Sequence, residues 1–327
     1  AERRRQDRAA LDAIYDEMVA LRDRVARNAG YADYVGYAFK AMHRFDYTPA
    51  DCVNFQKSIE RVVVPFNRRL EDKRRAALKL DTLRPWDLAV DVKGRAPLRP
   101  FEGGRQLMSK SVAVFNRLDT RLGSMLASMG DGSEQRGSAG GACLDLDSRK
   151  GKAPGGYQYN RDRSRQPFIF MNAAGLWRDQ ITMLHEAGHA FHSMLCREEP
   201  LLAYRGSPIE FAEVASMSME LLTMPYWKGP DAFYTDEADY ARARRQQLEK
   251  AVGFFPWMAT IDAFQHWVYA NPAHTRDQRT QAWLALDDRF GSSCSWQGLE
   301  PTRQSQWQRQ LHLFTHPFYY VEYGIAQ

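Results

Sequence analysis

The segment His185-Glu186-Ala187-Gly188-His189 is an H-E-x-x-H motif. On a helix its two histidines rise from one face, where both imidazoles reach one zinc ion at about 2.0 to 2.1 Å. Glu186 is rotated off that face. It can therefore meet water at the ion without occupying a ligand position, which is where a general base must stand. Leu184, Ala187, Phe191 and Leu195 form an apolar stripe beside the histidine face, so the spacing predicts a packed helix. The competing reading makes His185 and His189 ordinary core histidines. His192 follows by three residues, at an angle to His185 that suits a supporting or core role better than ligation.

A catalytic zinc takes three protein ligands and leaves a position open, so a third donor is expected downstream. Ser207-Pro208-Ile209-Glu210 reads as a capping box that opens a helix and occupies Glu210. Beyond it Phe211, Ala212, Val214, Ala215, Met217, Met219, Leu221 and Leu222 make the helix apolar on most sides, which predicts deep burial. Glu213, Ser216 and Glu220 share one face, and a buried carboxylate needs a cation or a partner. Glu213 is the expected zinc ligand and Glu220 the group that orients a histidine ring; a salt bridge to an arginine is the alternative for each. Asp179 could also orient a zinc histidine, or could be a plain surface acid.

These residues must be held by surrounding elements. The first 130 residues read as helices, beginning with a stripe of Leu11, Ile14, Met18, Leu21 and Val25 that ends near Gly30. Thr48 as cap, Pro49 and Asp51 start another helix. Between Gly130 and Gly156 glycines crowd together, predicting a loop, with no Ser or Thr after Gly151-Lys152 to make it a phosphate cradle. Pro167-Phe168-Ile169-Phe170-Met171-Asn172 then reads as a short strand, and its leading proline suits a sheet edge, where an extended peptide could pair.

The run Gly151-Lys152-Ala153-Pro154-Gly155-Gly156-Tyr157, the strand, His185 to His192, Glu213-Val214-Ala215-Ser216 and His316-Pro317-Phe318-Tyr319-Tyr320-Val321-Glu322-Tyr323-Gly324 together resemble the M3 family of zinc metallopeptidases, most closely its oligoendopeptidase F branch. The resemblance implies a mainly α, zincin-like fold with a small β-sheet beside the zinc helix and a deep substrate channel. It implies one Zn2+ per chain on His185, His189 and Glu213, with Glu186 catalytic. It further implies that Tyr320 and Tyr323, with His316 or His312, hold the substrate carbonyl and its oxyanion; read without the family, those tyrosines are core aromatics. Gly156, Tyr157, Phe168, Ile169 and Phe170 would contact substrate. Family members carry a further N-terminal helical region and continue past the tyrosine segment, so this chain is expected to be a fragment.

Composition agrees with a folded, water-soluble chain. The 327 residues are 44% apolar and 26% charged, enough to bury about three quarters of the surface and too ordinary for disorder. The longest apolar stretch, Ala251 to Phe264, carries Pro256 and Asp262 and is too short to cross a bilayer. Four scattered cysteines without C-x-x-C spacing suit a reducing, cytoplasmic setting. The net charge of +5 is spread through clusters such as Arg68-Arg69-Leu70-Glu71-Asp72-Lys73, a solvated face rather than a nucleic-acid footprint. The expected organisation is a helical scaffold over 1–135, forming one wall of the channel, and a zinc-binding catalytic region over 136–327. Short peptides are the expected partners, with no nucleic acid and no membrane; oligomeric state stays open. The rival function is an inactive fragment that binds zinc or peptide without turnover.

Overall fold

The computed structural model describes residues 2–133 and 143–327. In chain order its elements are α1 (Glu2–Asn28), α2 (Tyr34–Ala41), α3 (Pro49–Leu78), α4 (Gly103–Leu118), α5 (Thr120–Ala127), β1 (Leu144–Asp147), β2 (Tyr157–Arg161), β3 (Gln166–Ala173), α6 (Trp177–Leu195), α7 (Ile209–Leu222), α8 (Glu237–Ala270), α9 (Arg276–Phe290), α10 (Glu300–Gln304), α11 (His312–Thr315) and α12 (Tyr320–Ala326). The fold is mainly α with one small sheet, as the family resemblance implied. None of the described helices is long and apolar enough to cross a membrane. Gly137, Gly140 and Gly141 of the expected loop, and the expected boundary at 135/136, lie outside the described residues. Within the glycine-rich region the chain still forms β1, because Leu144 and Leu146 alternate into the core.

Contacts divide the chain into two compact units, Ala1–Arg95 with Lys250–Ile325, and Ala96–Glu249 with Ala326–Gln327. The division does not follow the one expected from composition, since the chain leaves the first unit and later returns to it. In the first unit the Thr48 capping box forms as the sequence predicts, with Asp51 accepting the Thr48 amide at 2.8 Å. The α1 stripe does not face the core as expected. Ile14, Leu21 and Val25 are exposed, while Tyr15, Val19 and Ala26 are buried. Polar anchors choose the buried face. Arg279 bonds Asp12 at 3.0 Å and Asp16 at 2.6 Å, Arg22 reaches the Tyr269 hydroxyl at 2.7 Å, and Tyr15 packs between Trp307 and Phe314.

One residue of this unit combines conflicting demands. Phe318 is fully buried with φ of 62°, its ring among those of Phe39, His266 and Tyr269. Its amide donates to Gln265 at 2.6 Å and its carbonyl accepts from Arg44 at 2.5 Å. Arg44 also pairs with Glu322, and both side chains are buried.

In the second unit the strand order is β1-β3-β2, with β3 parallel to β1 and antiparallel to β2. The strand of Pro167 to Asn172 is therefore the middle strand, contrary to the edge position its proline suggested; β2 and β1 are the edges. Pro167 stands opposite Asn160 near the end of the ladder, where a missing amide is tolerated. Ile169, Met171 and Ala173 of β3 enter one core with Ile181, Met183, Leu184, Ala187, Ala190 and Phe191 of α6.

Breaking a buried ion pair leaves one charge without compensation, at a cost of about 3 to 5 kcal/mol. Glu322→Gln should therefore lower the chemical-denaturation midpoint substantially with an unchanged denaturant slope. A loss below about 1 kcal/mol would show that the pair is not carrying a buried charge.

Candidate metal centre

The second unit brings His185, His189 and Glu213 together, with one donor atom of each lying within 4.8 Å of the others. The Glu213 Oε2 atom is 3.3 Å from His185 Nε2 and 3.8 Å from His189 Nε2. Two imidazoles and one carboxylate turned toward a common point are the donor set of a catalytic zinc site, so the residues present fit the ion. His192 belongs to no such group among the described residues, as its helical angle predicted.

Gly188 makes this approach possible. A Cβ on it would lie 2.5 Å from the Ala215 carbonyl oxygen and 2.6 Å from Ser216 Cα, so only glycine lets the α6 and α7 backbones come this close. The sequence reading missed it. A glycine between two histidines in a helix interior costs roughly 1 kcal/mol against alanine, which was the available signal that something packs there.

Supporting bonds then aim each donor. Glu220 Oε1 accepts from His185 Nδ1 at 2.8 Å, the ring-orienting role expected of it, which leaves Nε2 for an ion. Gln247 on α8 donates to the other Glu220 oxygen at 2.7 Å, a residue no local pattern could reveal. Ser216 donates to Glu213 Oε2 at 3.0 Å. Asp179 does not touch a histidine: it accepts the amides of Ala174 at 2.8 Å and Leu176 at 3.0 Å, capping the start of α6.

Two expectations about α7 need correction. Its capping box is not formed, because Pro208 occupies the cap position and Ser207 Oγ and Glu210 Oε2 have no hydrogen-bond partner. The helix is also not deeply buried. Phe211 is 63% and Leu222 52% exposed, while Glu213, Ser216 and Glu220 are buried, so it turns its polar face inward.

Glu186 is buried on α6 beside this cluster. Burial, aided by Glu213, pushes its carboxyl up to about 7 despite the opposing His185 charge. For His185 burial acts downward, but Glu213 and Glu220 outweigh it and raise the ring to about 10. His189 is lowered to about 4 by burial and by His185. Gly156 precedes β2, where a Cβ would stand 3.0 Å from Thr182 Cγ2 and 3.9 Å from Glu186 Oε1, so glycine keeps the space beside that oxygen clear. Tyr157 is exposed and stacks on Phe170 at 5.0 Å, on the opposite face of β3 from the buried Ile169. Phe168 lies on the Phe170 face.

The family model described as Peptidase family M3 matches residues 1–327. The chain belongs to peptidase family M3. This M3 chain is similar to the solved structure of PZ peptidase A with an inhibitor, at 30% identity and a TM-score of 0.88 over 99% of this chain and 55% of that one. It is 29% identical over 175 residues to oligopeptidase PepF of Bacillus subtilis (strain 168), covering 53% of this chain and 24% of the relative. It is 34% identical over 77 residues to the chromosomal oligoendopeptidase F of Lactococcus lactis subsp. cremoris, covering 24% and 13% respectively. The chain thus spans about half the length of the solved relative, and its alignments cover a quarter or less of these two curated ones.

The remaining expected site residues of the M3 chain lie in the first unit. His312 forms a ring cluster with Tyr320 at 5.0 Å and Tyr323 at 5.9 Å, and its Nε2 is 3.4 Å from the Tyr323 hydroxyl. His316 instead meets Tyr319 at 6.0 Å and bonds Thr315 at 2.7 Å. Burial raises the Tyr320 hydroxyl to about 12, which keeps it a donor.

Two measurements probe the centre. Since His185 is held protonated up to about 10 and ligation needs Nε2 bare, acid competes with the ion. Calorimetric zinc titration at pH 7 should release at least one proton per ion, with affinity rising from pH 6 to 8; a flat profile would contradict the paired ring. Gly188→Ala should lose stability by about 1 to 3 kcal/mol from overpacking and weaken zinc binding about tenfold or more. Helix propensity alone predicts the opposite sign, a gain of roughly 1 kcal/mol, so the denaturation midpoint decides.

Proposed function

We propose that this centre holds one zinc ion through His185, His189 and Glu213, and that the chain supplies the catalytic chemistry of a metallo-oligopeptidase cutting peptide bonds in short unfolded peptides. The observation that carries the proposal is the buried Glu186 carboxyl, set on the same helix as both histidines but outside the donor set. When bound, zinc supplies a Lewis acid that polarises a carbonyl and brings water toward a pKa of about 7. Glu186, raised to about 7, is matched to take a proton from the attacking water and to return it to the leaving amine. Glu220 holds the His185 ring in the tautomer that leaves Nε2 free, and Gln247 fixes Glu220.

Oxyanion stabilisation falls to Tyr320 and Tyr323, at roughly 3 to 4 kcal/mol per donor. His312 is favoured over His316 as their companion because its ring meets both tyrosines. The role of aligning the peptide passes from β3 to the edge strand β2, whose outer side has no neighbouring strand among the described residues. A cytoplasmic setting follows from cysteine usage alone. One other reading stands beside the proposal, a fragment that binds zinc or peptide without turnover.

Hydrolysis of a quenched fluorescent peptide by the zinc-loaded chain separates the two. Glu186→Gln should slow turnover by about 10²- to 10⁴-fold while retaining the ion. Equal rates in the two proteins, both with zinc bound, would leave the fragment reading.

A further inference from the structure

Outside the histidine centre, the described residues contain one other group with metal-ligating geometry, and it lies in the first unit. Cys52 of α3 and Asp262 and His266 of α8 each offer one donor atom, and these atoms lie within 4.8 Å of one another. Asp262 and His266 are four residues apart, so they share a helix face, with the Cys52 thiol supplied from the neighbouring helix.

The burial of these groups is incompletely compensated. Asp262 is fully buried, and only its Oδ2 is bonded, by Gln56 at 2.7 Å. Its Oδ1 has no hydrogen-bond partner, and neither has His266 Nε2. The two side chains approach at 3.6 Å, too far for a good hydrogen bond. A carboxylate oxygen and an imidazole nitrogen, buried without hydrogen-bond partners beside a thiol, cost free energy unless something occupies the point they face. Arg44 gives its Nε and Nη2 to Glu322 and the Phe318 carbonyl, and its Nη1 has no hydrogen-bond partner, so no arginine hydrogen bond reaches Asp262.

We infer that Cys52, Asp262 and His266 form a second metal site, for a borderline divalent ion of which zinc is the first choice. Sulfur, imidazole nitrogen and carboxylate oxygen together suit zinc better than calcium or magnesium, which take oxygen ligands only. A thiolate and a carboxylate around a divalent ion sum to zero charge, which suits an interior this dry. Binding must displace protons, since burial raises both the Asp262 carboxyl and the Cys52 thiol in the ion-free chain, the thiol to about 12. A cysteine nucleophile is the other chemistry available to this trio, and it fails on access, since Cys52 is 2% exposed. The ion would tie α3 to α8.

Cobalt substitution tests the inference, because the His185, His189 and Glu213 set contains no sulfur. The chain, stripped of metal by a chelator and reloaded with Co2+, should bind two ions and show near-ultraviolet thiolate-to-cobalt charge transfer. Cys52→Ser should bind one ion and lose that absorption; His189→Ala should bind one ion and keep it. Should Cys52→Ser fail to fold, X-ray absorption of the zinc-loaded wild type decides alone, through zinc–sulfur scattering at about 2.3 Å. One ion per chain without sulfur scattering, or charge transfer that persists in Cys52→Ser, would overturn the site.

Discussion

The contact on which the histidine centre depends is not between ligands but between backbones. At Gly188 the α6 and α7 helices approach until a single methyl group would meet the Ala215 carbonyl. A glutamate reaches about one helical turn from its own axis, so Glu213 can meet two imidazoles on the facing helix only if the axes are this close. Zinc distances near 2 Å leave no slack for a wider crossing. The glycine thus trades intrinsic helix stability for the separation the donors require.

Once the helices are that close, α7 has an unusual dress. Its buried face carries Glu213, Ser216 and Glu220 while Phe211 and Leu222 face outward. Hydrophobic burial therefore contributes less to this interface than it would for an ordinary amphipathic helix. What compensates is a chain of named bonds, Gln247 to Glu220 to His185, and Ser216 to Glu213. Every lone pair engaged this way fixes a rotamer, and a fixed rotamer is what ion ligation needs.

The sequence made the centre legible where chemistry and helical period coincide. The histidines, Glu186, Glu213 and Glu220 follow from spacing and from the cost of an unpaired buried acid. Asp179 was misjudged because a carboxylate near a helix start serves backbone amides before anything else. The capping box at Ser207 misled for a related reason, since a proline holding the cap position itself moves the helix start along by one residue. The β3 strand carries a proline yet lies in the middle of the sheet, because Pro167 falls one pair from the end of the ladder. On α1 the apolar periodicity was real but named the wrong face, as the bonds of Asp16 to Arg279 and of Arg22 to Tyr269 set the rotation through partners far along the chain. Gln247 and the Cys52 cluster share that obstacle: their partners are brought near only by tertiary folding.

Phe318 asks two incompatible things of one amino acid. Its backbone occupies the left-handed region where glycine rests at no cost, and its buried ring packs among those of Phe39, His266 and Tyr269. No residue in the genetic alphabet satisfies both, so any replacement exchanges one deficit for another. Drift at this position should be narrow, frozen by frustration rather than by chemistry.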